Sequence, residues 1–146
     1  MRGLRRSSEG FSLLELLIVV AIILVIATIA IPSLIRSKQM ANETSAVANL
    51  RTVSNAEATY LSSSGGSYGD LSQLVSERLL DDRFSRGSHG GYYYSITAGS
   101  FAFTATATPL SSNAGRYGYY MHPDSVIRYS TTMTLAPAGK AGHPVS

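Results

Sequence analysis

Cysteine is absent from this chain of 146 residues, and charged side chains make up only 14% of it. The absence of cysteine excludes disulfide frameworks, cysteine-ligated zinc, iron–sulfur clusters and thiol catalysis. A chain so poor in charge, with 45% hydrophobic residues, is not an intrinsically disordered one. If the protein is exported, its domain must be stabilised by its own core, because no cross-link constrains the unfolded chain.

The sequence also lacks short motifs that accompany common enzymatic chemistry. It contains no HExxH, P-loop or GxGxxG sequence. The three histidines, His89, His122 and His143, are scattered, and the adjacent Asp81 and Asp82 are typical of a solvated helix end. We therefore predict a protein that is not an enzyme and that has no metal site and no cofactor.

The basic residues give no indication of nucleic-acid binding. Residues 1–10 hold three arginines and one glutamate, whereas the rest of the chain has nine basic and eight acidic residues. The sequence pI of about 9.3 therefore owes much to the N-terminal end, and a nucleic-acid partner is not predicted.

The apolar residues are concentrated in one long run near the N-terminus. Phe11–Ile31 contains only three polar side chains, those of Ser12, Glu15 and Thr28. A helix of this length spans about 31 Å, which matches a hydrocarbon core of about 30 Å. The arginines before the run favour a cytoplasmic N-terminus. We predict one transmembrane helix within residues 11–35, followed by an exported domain.

An ordinary secretory signal peptide is the alternative interpretation of this run. Its basic start fits, and Thr28-Ile29-Ala30 supplies the small residues that signal peptidase requires. However, the run exceeds the usual 7–15 apolar residues, and it contains Glu15, although a charge at a helix centre costs about 2.5–3.5 kcal/mol on insertion. Under this alternative, a secreted binding or enzymatic domain would begin near Ile31.

Residues 9–16, with the sequence EGFSLLEL, resemble the processing and methylation motif of type IV prepilins and type II secretion pseudopilins. The resemblance implies that residues 1–10 are a leader peptide, which a prepilin peptidase removes by cutting between Gly10 and Phe11. It also implies N-methylation of Phe11. The glutamate of the motif, five residues after the cut, is Glu15.

The cleavage gives Glu15 a chemical partner. Cutting before Phe11 creates an α-amino group that is at least partly cationic at neutral pH, and methylation keeps it protonatable. Once apolar helices pack together, Glu15 and the amine of the same or an adjoining subunit would pair in a low-dielectric setting and fix the axial register during assembly. The alternative is that Glu15 serves only the peptidase or the extraction of the subunit from the membrane.

Pro32 closes the apolar run. Because proline lacks an N–H and clashes with the carbonyl four residues earlier, we predict a helix kink or local melting around Thr28–Pro32. The resemblance implies a first helix that is partly unwound there in a filament, and the alternative is a plain helix boundary.

No glycine or proline interrupts Ser33–Leu61, so we predict a helical spine over residues 11–61. Its second half has an apolar stripe at helical spacing, which is expected to lie against a sheet. The stripe comprises Ala46, Leu50, Val53, Ala56 and Tyr60, and the residues assigned to the other faces are Asn42, Glu43, Arg51, Asn55 and Glu57.

The remaining sequence predicts a short helix and a sheet. Asp70 and Gln73 form a capping-box pattern ahead of an amphipathic segment that includes Leu71, Leu74 and Val75. In residues 101–108, FAFTATAT, period-two alternation places Phe101, Phe103, Ala105 and Ala107 on one face. Three or four antiparallel strands are expected, within Tyr92–Thr97, Phe101–Thr108, Arg116–Met121 and Val126–Thr132.

We therefore predict an α+β fold similar to that of type IV pilins: a long helix, transmembrane in its first half, packed on a small antiparallel β-sheet. Residues 36–146, including the helix 36–61, form the predicted globular head. The resemblance implies a structural subunit of a helical homo-oligomeric filament, with prepilin peptidase and an inner-membrane assembly machinery as partners.

A pseudopilin of a type II secretion system is the alternative within the same resemblance. The major pseudopilins have a calcium site in their C-terminal region that acidic side chains supply. Here Asp124 is the single acidic residue after Asp82, so that region cannot supply a carboxylate-rich site. The predicted location is a single pass through the bacterial inner membrane before assembly, and a surface pilus or periplasmic pseudopilus afterwards.

Overall fold

The computed structural model describes residues 10–130 and 139–145. The chain divides into two compact units, Met1–Ile35 and Arg36–Ser146. Within the described residues, the helices are α1 (Leu13–Ser63), α2 (Leu71–Ser76) and a 3₁₀ helix (Asp82–Arg86). The strands are β1 (Ser88–His89), β2 (Tyr92–Ala98), β3 (Phe103–Pro109), β4 (Gly118–Met121), β5 (Ile127–Ser130) and β6 (His143–Pro144).

Helix α1 confirms the predicted spine to within two residues at each end. Pro32 lies inside it, so the helix continues through the proline rather than ending there. A proline fixes φ at a helical value and removes one hydrogen bond, which its neighbouring turns can tolerate. The kink itself stays a prediction.

In the second unit, the predicted apolar stripe of α1 forms part of the core. Ala46, Leu50, Val53 and Ala56 are at most 4% exposed, and Tyr60 packs against the same cluster. The placement of two acidic residues on the outer faces was wrong. Glu43 is 7% exposed and Glu57 is fully buried, because the loops that follow the helix cover them.

The sheet is antiparallel, with its strands in chain order from β1 to β6. The prediction of three or four strands missed the two edge strands, since two residues are too few to show a pattern. The alternation in β3 is confirmed for Phe103, Ala105 and Ala107, which are buried. Phe101 departs from it: this residue lies in the loop before β3 and is 97% exposed. The predicted strand ends Thr131 and Thr132 lie outside the described residues.

The predicted capping box at α2 is confirmed. The Asp70 side chain accepts a hydrogen bond from the backbone N–H of Gln73, and the Gln73 side chain accepts one from the backbone N–H of Asp70. Hydrogen bonds from Ser72 and from the Gln73 backbone lower the pKa of Asp70. The cap starts α2 against the core, where Leu74 is buried.

Candidate functional site

The candidate site is the N-terminal segment that contains Gly10, Phe11 and Glu15. Ser12 is the N-cap of α1: its hydroxyl accepts a hydrogen bond from the backbone N–H of Leu14 at 3.3 Å. The Glu15 carboxylate accepts one from the backbone N–H of Ser12 at 3.1 Å. The second contact is the glutamate half of a capping box, in which a glutamate in the first turn satisfies the N–H of the capping residue, whereas the serine hydroxyl bonds Leu14 rather than Glu15. The spacing Ser-x-x-Glu in the sequence indicates such a contact.

Gly10 and Phe11 lie immediately before this cap, and both are exposed. Apart from its chain neighbours, no atom of the described residues lies within 4 Å of a Cβ atom placed on Gly10. The packing of the described residues around this position therefore does not require a glycine. Phe11 is 84% exposed, so the bond between the two residues is open to an external protein.

The first half of α1 presents apolar side chains on every side. The helix contains an 18-residue window with a mean hydropathy of 3.1, none of it buried. Among the described residues it is the one helix that is long and apolar enough to cross a membrane. Exposed members of this surface include Leu13, Leu17, Ile22, Leu24, Val25 and Ile29.

The second unit contains a charged contact that sequence reasoning did not find. The Glu43 carboxylate accepts hydrogen bonds from Arg116: the backbone N–H at 2.7 Å, Nε at 3.1 Å and Nη2 at 2.9 Å. The hydrogen bond to Glu43 raises the pKa of Arg116. Two further contacts from α1 hold the same loop, from Gln39 to the carbonyl of Ser112 and from Asn42 to that of Ala114.

A second buried polar contact joins α1 to β2. The Asn49 side-chain amide donates a hydrogen bond of 2.9 Å to the hydroxyl of Tyr94. Both residues are buried, and burial raises the pKa of Tyr94. This contact and the one between Glu43 and Arg116 position the helix on the sheet, and neither involves the N-terminal segment.

The loop after α1 contains one serine motif that the fold does not support as a catalytic site. Gly65-Gly66-Ser67-Tyr68-Gly69 has the GxSxG spacing of a nucleophile elbow, which requires a strand before the serine and a helix after it. Here the motif follows a helix, and Ser67 is exposed. The backbone carbonyl and N–H of Ser67 both bond to the Ser64 hydroxyl, and no described hydrogen bond joins the Ser67 hydroxyl to a histidine.

The histidines do not come together. His122 bonds to Tyr120, and His143 stacks beside Tyr129. Across the part of the chain that the structure describes, no group of three or more histidine, aspartate or glutamate side chains could hold a metal ion.

The fold and the N-terminal segment are similar to those of type IV pilins. The first half of α1 is exposed and apolar and begins next to Ser12, and the second half of the same helix packs on an antiparallel sheet, an α+β arrangement like that of type IV pilins. The prokaryotic N-terminal methylation motif family matches residues 5–31 of the chain. The predicted resemblance is confirmed by this match.

Two curated proteins are similar to the chain, and both are pilus components. The type IV major pilin protein PilA of Myxococcus xanthus is 34% identical over 92 residues, which cover 63% of this chain and 39% of that protein. The type IV wide pilus major component PilA4 of Thermus thermophilus is 47% identical over 45 residues, covering 31% of this chain and 34% of that protein. The matched segments thus span about a third of each relative. No solved structure matches the chain.

Proposed function

We propose that this protein is a non-enzymatic structural subunit of a type IV pilus-like filament. The observation that carries the proposal is the methylation motif placed at the start of α1, whose first half is apolar and exposed. In a single chain, none of the described residues buries that apolar surface. A membrane covers it before assembly, and the helices of other subunits cover it in the filament.

Processing takes place between Gly10 and Phe11 in this proposal. None of the described residues would clash with a side chain at position 10, so the need for glycine comes from the peptidase that must fit the backbone at the cut. The leader, residues 1–10, is removed, and Phe11 becomes the N-methylated first residue. The cut falls in exposed chain just before the Ser12 cap, so cleavage leaves the helix start intact.

Glu15 then pairs with the new amine and sets the register of incoming subunits. Its carboxylate already reaches back to the backbone N–H of Ser12, the residue next to the cleaved N-terminus. The amine can therefore pair with the Glu15 carboxylate of its own subunit or with that of a neighbouring subunit. An unpaired charge among apolar helices would destabilise the assembly. Pro32 allows the helix to kink or to unwind locally when the subunits pack.

The filament is a pilus rather than a pseudopilus in this proposal, because the two similar proteins are components of type IV pili by their names. Before assembly the subunit is a single-pass protein of the bacterial inner membrane, and on assembly it moves to the cell surface. Prepilin peptidase and the inner-membrane assembly machinery are its partners.

The proposal is tested by determining the first residue of the assembled subunit and its modification. Filaments sheared from the cell surface should contain this chain beginning at Phe11 and carrying one extra methyl group, as measured by mass spectrometry of the N-terminal peptide. A mature chain that begins near Ile31 would show a cleaved signal peptide. A chain that begins at Phe11 but occurs only in the periplasm would indicate a pseudopilin.

A further inference from the structure

Glu57 is an enclosed carboxylate that has no basic partner among the described residues. Its side chain, on α1, is fully buried. One oxygen, Oε2, accepts a hydrogen bond of 3.0 Å from the backbone N–H of Gly69, and the other, Oε1, is buried and has no hydrogen-bond partner in the part of the chain that the structure describes. The ion pairs among the described residues do not include it; they are Arg83–Asp81, Arg116–Glu43 and Arg128–Asp124.

Burial and the nearby carboxylate of Asp70 oppose a negative charge on Glu57. On α1 the neighbouring titratable group is the phenol of Tyr60, whose ring packs on Gly69. The segment that covers the carboxylate contributes Tyr68, and the N-cap of α2 contributes the carboxylate of Asp70. Burial raises the pKa of Glu57, the Gly69 N–H lowers it, and the nearby charge of Asp70 raises it again, so that the net shift is upward.

The Gly69 hydrogen bond holds a loop to the helix. We define the segment 64–70 as the connection between α1 and α2. It is also attached to the sheet, through a hydrogen bond from Tyr68 to the carbonyl of Gly99 and a ring contact of 4.9 Å between Tyr68 and Phe103. Residues 64–67 are exposed, and Gly65 and Gly66 have positive φ values. The segment that covers Glu57 through Gly69 is therefore exposed to water at its other end.

We propose that Glu57 is a pH-sensitive clamp for the segment 64–70. As a neutral acid, Glu57 packs in the core, and Gly69 is held against α1. When the carboxyl group releases its proton to solvent, the buried charge has one N–H to satisfy it, and an unpaired buried charge costs far more than local opening of a loop. The segment then opens, and water solvates the carboxylate.

The direction of the pH dependence follows from the two states. In the open segment the carboxyl group titrates near its ordinary pKa of 4.5, and in the closed segment the pKa is higher. The closed form is therefore fully favoured below about pH 4.5. Its population falls relative to the open form as the pH rises towards the raised pKa, by up to tenfold for each pH unit. This inference concerns the head alone and does not depend on the proposed filament.

Hydrogen–deuterium exchange of the full chain in detergent micelles tests the clamp. Exchange of the amides in 64–70, corrected for the intrinsic pH dependence, should quicken up to tenfold per pH unit above about pH 4.5 in the wild type. Glu57→Gln should stay protected across pH 4–8, because it cannot ionise. The matched control Glu77→Gln, at an exposed position after α2, should follow the wild-type profile.

Two results would overturn the proposal: a corrected exchange rate that does not change with pH in the wild type, or the same pH profile in Glu57→Gln. A carboxyl ¹³C titration of Glu57 in the wild type tests the clamp independently if the glutamine variant does not fold as the wild type does. A midpoint at the ordinary value, or a raised midpoint with no accompanying change at the Gly69 amide, would also contradict the clamp.

Discussion

The carboxylate of Glu43 on α1 forms a bidentate ion pair with the guanidinium of Arg116, 73 residues later in the chain. The Glu43 side chain is 8% exposed and that of Arg116 is 46% exposed, so the acid is enclosed while the base reaches solvent. The guanidinium also lies over the Tyr117 ring, 5.0 Å from its centroid. The pair therefore joins the helix to the loop that leads into β4.

Replacing Glu43 with glutamine should destabilise the head. The amide has one oxygen where the carboxylate uses two, so one donor of Arg116 would face an NH₂ group. Because Arg116 is half exposed, we expect a loss of about 1–3 kcal/mol in the free energy of unfolding. Denaturant unfolding of the full chain in micelles measures it. The exposed control, Glu77→Gln, should change stability by less than about 0.5 kcal/mol, and an equal effect of both variants would argue against the pair.

Replacing Gly10 with valine should block processing without disturbing the fold. A side chain at this position would meet no atom of the described residues beyond its chain neighbours, so we expect a processing defect to come from the fit to the peptidase. We expect the uncut precursor to accumulate in the membrane, with no filaments, as seen by immunoblot. Normal mature protein from this variant would refute the assignment of the cleavage site.

Variants of Glu15 and Ser12 should separate the charge of Glu15 from its capping role. Glutamine at position 15 can still accept the hydrogen bond from the Ser12 N–H but has no charge, whereas Ser12→Ala removes the serine cap and keeps the charge. We expect Glu15→Leu and Glu15→Gln to be cleaved yet to assemble poorly. Ser12→Ala should assemble close to normally, since losing the cap costs about 1 kcal/mol.

Cleavage and assembly are measured apart in that experiment, by immunoblot for the mature band and by electron microscopy of sheared fractions. A normal yield of filaments from fully processed Glu15→Leu, without wild-type subunits, would refute the register role. A defect confined to Glu15→Leu and Ser12→Ala would assign Glu15 to capping instead.

Residues 36–146 should be a soluble monomer when expressed alone. The buried cluster begins at Ala46, and the uniformly apolar surface ends by Ile35, so the truncation keeps the core and removes the membrane segment. Light scattering after size exclusion should give the monomer mass. Aggregation, or filaments formed by this fragment, would show that the boundary lies elsewhere.

Local patterns were sufficient for the two α-helices and for most of the strands, but they did not predict the 3₁₀ helix Asp82–Arg86. The run from Phe11 to Ile31, followed by a stretch without glycine or proline, predicted a helix over 11–61 where the structure has Leu13–Ser63. The Asp70–Gln73 cap and the alternation in β3 were predictable for the same reason: each depends on residues a few positions apart. Such contacts recur wherever the pattern occurs.

Only the tertiary structure shows what encloses the polar residues of α1. Helical spacing puts Glu43, three residues before Ala46, and Glu57, four residues after Val53, on the side of the apolar stripe, and the chain that covers their carboxylates comes from the loops at Arg116 and Gly69. Asn49 likewise meets Tyr94 only because β2 packs on the helix. Helical periodicity specifies which side of a helix a residue occupies, but burial depends on what distant chain covers that side. No pattern within α1 encodes that information.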